Sequence, residues 1–260
     1  MMIKRFFEQA YLYHKGRSAA FEAEEFVLME ITYPLITMIF YCLVATFSFK
    51  TTDLTGWVIG NAFLLCTNAC IFGVGIMFVK ERHYGRMRSI IAAPCSKLSL
   101  ILASGVFPTL FAVCASVCGL VVGCLVFGVT FSGVNLLLVA LTIIVAMISA
   151  TFFGLFISAF GLMNDSMHLV LNVVSYLLMI FTGAEFPIKQ LPVAGQLVAQ
   201  MMPLTKAILA MNKLFEGNIK DFAILITAEV FTGLVYALLT YVVFGYAEKG
   251  AQRNGKFDMF

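Results

Sequence analysis

Six stretches of the chain are apolar almost without interruption, at residues 31–49, 57–79, 98–131, 134–164, 166–184 and 222–247. The first five contain no Lys, Arg, Asp or Glu, and the sixth contains one acid, Glu229. Continuous rather than alternating hydrophobicity is the pattern of helices buried on all sides, not of barrel strands. A hydrocarbon slab of about 30 Å takes about 20 helical residues to cross. The third and fourth runs exceed that, so helices are predicted near 101–127 and 136–160 with Ser132-Gly133 as the turn. The expectation is an all-α integral membrane protein with six transmembrane helices, which puts both termini on one side.

Three segments outside these runs have a pattern of their own. Residues 1–30 mix Phe6, Phe7, Leu12, Phe21 and Phe26 with charges. That mixture predicts a cytoplasmic amphipathic N-terminal helix along the membrane surface, interrupted at Gly16, with a solvated tail as the other reading. The segment has no apolar signal-peptide core and is expected to be mature structure. Residues 80–97 form a basic loop in which Met87, Ile90 and Ile91 fall at helical spacing and Pro94 is a stop, so a short amphipathic helix is predicted. Such a helix docks either on a cytoplasmic partner or on anionic headgroups. In the outer segment 184–221, Pro187, Pro192 and Pro203 punctuate two helices too short to cross. Irregular backbone at membrane depth needs protein or a water-filled cavity over it, so this re-entrant element is expected to cap something.

Composition leaves little room for a soluble reading. Of 260 residues, 61% are hydrophobic and 12% charged, against about 45–50% and 25% in ordinary soluble domains, and mean hydropathy is +0.97. A net charge of +3 is too small to argue for nucleic acid. Its placement is informative: twelve of the 17 bases fall before the first run, between the second and third, or after the last. The positive-inside rule then puts both termini in the cytoplasm and 184–221 outside.

Candidate chemistry is sparse. The seven cysteines lie in spans or, for Cys95, on the cytoplasmic side, and read as small packing residues. His14, His83 and His168 lack ligand spacing, so no metal is expected. No hydrolase motif is present, and the phosphate-loop lookalike at 250–257 has Phe257 where magnesium needs a hydroxyl. Neither catalysis nor a cofactor is therefore expected in this chain. Asn61, Asn68 and Gly75 recur every seven residues along one face of the second helix, while Asn172, Ser175, Tyr176, Met179 and Gly183 cluster on the fifth. Such polar groups either bond across helices or line a substrate path. Ala115, Gly119 and Gly123, and Ala150, Gly154 and Ser158, are stripes of small residues that let helices approach closely. Glu229 reads as an interfacial or helix-bonded acid ahead of a proton-coupling one.

Glu81-Arg82-His83-Tyr84-Gly85 with Ala92-Ala93-Pro94-Cys95-Ser96, and Gly183-Ala184-Glu185-Phe186-Pro187 with Leu191-Pro192, Pro203-Leu204-Thr205 and Gly217, resemble the signature segments of ABC-2 type ABC exporter permeases. The resemblance covers nearly the whole chain, as a transmembrane domain over 31–260. It implies that the loop at 80–97 forms a coupling helix, with Glu81, Arg82, His83, Tyr84, Gly85 and Arg86 against a separate ATP-binding subunit that holds ATP and Mg. It also implies a dimer, homodimer or heterodimer with a second permease, in the cell membrane. The function then expected is ATP-driven export of an amphiphilic cargo such as a drug, lipid or modified peptide. The alternative is a carrier or channel driven by an ion gradient, against which stands the near absence of ionisable residues in the spans. The substrate-path candidates are Asn61, Asn68, Asn172, Tyr176 and Met179.

Overall fold

The computed structural model describes residues 2–18, 28–49, 53–85, 97–131, 133–161 and 166–253, and the secondary structure among them is helical. The first helix, α1 (Met2–Ser18), runs unbroken through Gly16, contrary to the interruption expected there. A mid-helix glycine costs roughly 0.5–1 kcal/mol relative to alanine, and packing overrides it. His14 stacks on Phe107 with ring centroids 4.5 Å apart, and Ala10 is fully buried. The helix is thus docked on a neighbour in the same chain.

A π-turn at Leu28–Thr32 leads into α2 (Tyr33–Phe49). The next helix, α3 (Thr55–His83), is the centre of the molecule, with Val58, Ile59, Phe63, Cys66 and Cys70 fully buried. Its middle, Thr67–Gly73, is wound as a π-helix. There follow α4 (Lys97–Phe127), α5 (Leu136–Phe160) and α6 (Met167–Phe181). Asn135 starts α5 by accepting the Leu137 N–H on its side chain at 3.0 Å. Ser132, half of the expected turn, lies outside the described residues, but Gly133 beside it has φ 84°, as a tight reversal requires.

The small-residue stripes are where α4 and α5 meet α3. A Cβ at Gly119 would run into Leu65 and Ala62, one at Gly123 into Val58, and one at Gly154 into the Cys70 carbonyl. Gly154 therefore receives the backbone of the π-wound stretch at a distance no side chain allows.

After α6 the chain turns at Gly183, φ 81°. It then forms two short helices, α7 (Val193–Met201) and α8 (Thr205–Phe215), bent by 92° to each other. Gly217, φ 76°, ends α8 and the last helix, α9 (Ile219–Arg253), follows. Two short helices were anticipated from the prolines, and the deep burial of α8 adds to that expectation. Ala207, Ile208, Ala210 and Met211 are fully buried, and α8 wedges among α3, α5 and α9. Among the described residues, α3, α4, α5 and α9 are long and apolar enough to cross a membrane. The apolar helices α2 and α6 are shorter, at 17 and 15 residues.

Candidate functional site

Between α2, α3 and α6 lies a cavity of about 410 Å³, partly open at its side. All five substrate-path candidates line it: Asn61 and Asn68 from α3, and Asn172, Tyr176 and Met179 from α6. The heptad spacing on α3 and the i, i+3, i+4, i+7 cluster on α6 thus correspond to one shared surface. Gly75, assigned to the same face, instead packs beneath Leu171 of α6. The π-wound stretch between them changes the phase of the helix, which a constant 3.6-residue period does not anticipate.

The side-chain bonds of these polar groups run largely along their own helices. Asn61 Nδ2 donates to Trp57 O at 3.0 Å and Asn172 Nδ2 to His168 O at 2.8 Å, each four residues back on its own helix. Ser175 does the same with Leu171 O at 2.8 Å. These bonds satisfy a donor within each helix, and the residues line the cavity.

Several lining residues were not singled out in the sequence. Tyr33, Thr37 and Tyr41 of α2 sit at intervals of four residues and form the third wall. That spacing was a readable signal in an otherwise apolar run. Glu185, just beyond α6, also lines the cavity, with 7% of its surface exposed. Its backbone is held firmly: Trp57 Nε1 donates to the Glu185 carbonyl at 3.2 Å, and Gly60 lies so close to Ala184 that a Cβ could not fit. The carboxyl atom Oε1 is buried and receives no hydrogen bond. Burial raises the Glu185 carboxyl above the usual carboxylate range, and the nearby Asn61 amide offsets part of that rise. From the segment 184–221, Glu185 is what reaches the cavity, so α7 and α8 brace the bundle rather than roof this space.

At its other end α3 carries the coupling candidates. The helix continues through His83, then Tyr84 N–H bonds to Lys80 O at 2.9 Å and Gly85 N–H to Arg82 O at 3.0 Å. Gly85 has φ 67°. His83, Tyr84 and Gly85 are exposed, Glu81 is half-buried, and Arg82 is buried within this chain. Arg86 and the expected coupling helix lie outside the described residues, as do residues 19–27 of the N-terminal segment.

Glu229 is fully buried in α9, and its Oε1 accepts the Leu204 N–H at 2.9 Å. Leu204 precedes α8 with φ 70°, a strained left-handed conformation for a branched side chain. Nearby, Lys206 Nζ donates to Gln200 O at 2.5 Å and to Thr232 Oγ1 at 2.8 Å. Glu229 thus pins the corner of the α7–α8 hairpin to α9, the helix-bonded arrangement.

Compared with known families, residues 26–215 match the ABC-2 type transporter family. The chain belongs to that family. Neither a curated protein nor a solved structure matches it. As an ABC-2 type permease it is a multi-pass membrane protein and the transport subunit of an ABC transporter rather than a catalytic one. In this ABC-2 chain the matched region runs from just before α2 to the end of α8, and so takes in the cavity, the α3 terminus and the braced hairpin.

Proposed function

We propose that this permease forms the membrane pathway of an ATP-driven exporter for an amphiphilic cargo, paired with a second permease and powered by separate ATP-binding subunits that carry ATP and Mg. The observation that carries the proposal is the position of the cavity, whose back wall is α3, the helix that ends at Lys80 to Gly85. A drug-sized ligand needs a cleft of about 300–1,000 Å³, mostly apolar with a few fixed polar groups. Asn61, Asn68, Asn172 and Tyr176 supply polar groups, and Met38, Leu64, Leu65, Phe72 and Met179 the apolar surface. Six crossings with cytoplasmic termini put the α3 terminus inside the cell and the Glu185 end of the cavity outside. ATP binding would close the nucleotide subunits against the loop at 80–97 and move the inner half of α3. The Thr67–Gly73 π-helix, which itself contributes Thr67, Asn68 and Phe72 to the cavity wall, would carry that movement into the cavity. A ligand acting this way biases a two-state element through a rigid contact.

The reconstituted complex tests this. Glu81→Lys should leave insertion intact while abolishing cargo-stimulated ATP turnover. An unchanged turnover, or ATP hydrolysis by the purified permease alone, refutes the assignment. Impermeant thiol reagents on intact cells test the topology: single cysteines at Lys189 or Asn218 should label, and strong labelling of Cys95 with silence at the other two reverses the orientation.

A further inference from the structure

Among the described residues that line the cavity, Glu185 is the one carboxylic acid, set in a wall of aromatic and amide groups, and that pairing has a ligand chemistry of its own. Glu185 is more than nine-tenths buried, and its Oε1 has no hydrogen-bond partner. A buried carboxylate oxygen without a partner is costly unless a cation or donor reaches it. The chain does not place a base there: among the described residues that line the cavity, none is Lys, Arg or His. Its walls instead include Tyr33, Tyr41, Phe72 and Tyr176, side chains whose ring faces attract organic cations. Tyr41 lies within the field of the Glu185 carboxylate. The backbone that bears the carboxyl is fixed at the cavity by the Trp57 bond to its carbonyl and the Gly60–Ala184 contact.

We propose that the cavity selects cargo with a positively charged organic head, an ammonium or phosphonium carried on an apolar body, with Glu185 as its counter-charge and the Tyr41 and Tyr176 rings as its walls. Rotation of the ligand within the aromatic wall is compatible with this, since cation–π attraction needs proximity to the ring face rather than a directed bond. The proposal rests on the cavity being the cargo site and adds the charge of the cargo.

The protein carries its own reporter. Trp57 is the chain's single tryptophan and is bonded to the carbonyl of Glu185, a contact that survives side-chain substitution there. The full-length chain in phosphatidylcholine nanodiscs is titrated with tetraphenylphosphonium and, separately, with tetraphenylborate, an anion of the same shape. Trp57 emission is followed, with empty nanodiscs subtracted. The cation should give a saturable change and the anion none. Glu185→Gln should weaken the cation about 10-fold to 100-fold, the low end of what a close charge pair contributes at an interface, and Asn68→Leu should weaken it by narrowing the wall. Equal binding of both ions by the unmodified chain overturns the charge selection, whether or not Glu185→Gln folds. So does cation binding that Asn68→Leu weakens and Glu185→Gln leaves alone, and in that case the cavity stands as the cargo site. Failure of the cation to bind, or binding insensitive to both substitutions, overturns the inference and the cavity assignment together.

Discussion

Replacing Glu229 separates what its oxygen does from what its charge does. In Glu229→Leu the Leu204 N–H loses its acceptor at a fully buried site. An orphaned buried donor costs about 1–3 kcal/mol. The start of α8 also loses a negative group, worth up to about 2 kcal/mol when partly buried. Against this, the carboxylate is fully buried, so removing it returns part of its desolvation cost. A net loss of about 2–3 kcal/mol follows. In a chain of this size each kcal/mol moves the melting point by about 2–4 °C, so Glu229→Leu should melt roughly 4–12 °C lower. Glu229→Gln keeps the acceptor for Leu204 and a polar group facing Ser149. It should stay within about 1 kcal/mol of the parent, or roughly 4 °C. Thermal unfolding in detergent, followed by Trp57 emission, measures both. If Gln lowers the melting point as far as Leu does, or if Leu lowers it not at all, the anchoring role is wrong. A folded Glu229→Gln protein that no longer exports would refute it too, by showing that the proton-carrying carboxyl is what matters.

Gly154→Ala drives a Cβ into the Cys70 carbonyl and should cost about 1–3 kcal/mol as overpacking, read as a lower melting point; no shift would mean that α3 and α5 separate freely. Gly60→Ala displaces Ala184 and should break the Trp57 bond to Glu185, moving Trp57 emission with a smaller loss of stability than Gly154→Ala; unchanged emission would contradict the close contact. Asn135→Ala removes the cap of α5 and should cost about 1 kcal/mol in the same melting assay. Because the Glu185 carboxyl is raised, a proton competes with any cation at the cavity. Tetraphenylphosphonium affinity should therefore climb as pH rises through that raised value and level off above it. Tyr41 and Cys42 of α2 also feel the carboxylate, but tyrosines and cysteines are ordinarily neutral at acid pH; an affinity flat with pH would remove Glu185 from the site.

The spans were legible because continuous apolar runs bounded by charge leave no other economical structure in lipid. The ends of α4 at Phe127 and of α5 at Leu136 and Phe160 fall where length arithmetic put them. The α3 and α6 faces were legible from spacing, since polar residues in an apolar helix have few places to go. What was hidden is long-range. Nothing near Glu185 in the sequence tells that α2 supplies Tyr41 beside it, or that Trp57 holds its backbone. Gly16 was misread because glycine propensity is a local quantity and the docking of His14 on Phe107 is not. Gly75 was misassigned because a period was extended across a π-helix.

That π-helix also sets which deletions the spanning helix tolerates. A π-turn accommodates one more residue than an α-turn in the same stretch, so its flanks keep the phase they would have in an unbroken α-helix one residue shorter. Loss of a single codon within 67–73 lets the stretch rewind as ordinary helix while Asn61 and the Lys80–Gly85 end hold their directions. The same loss within 55–64 turns everything after it, the Lys80–Gly85 end included, by about 100°. The extra residue is thus spare length for the fold, and what disappears with it is the displaced Cys70 carbonyl that Gly154 was small enough to receive.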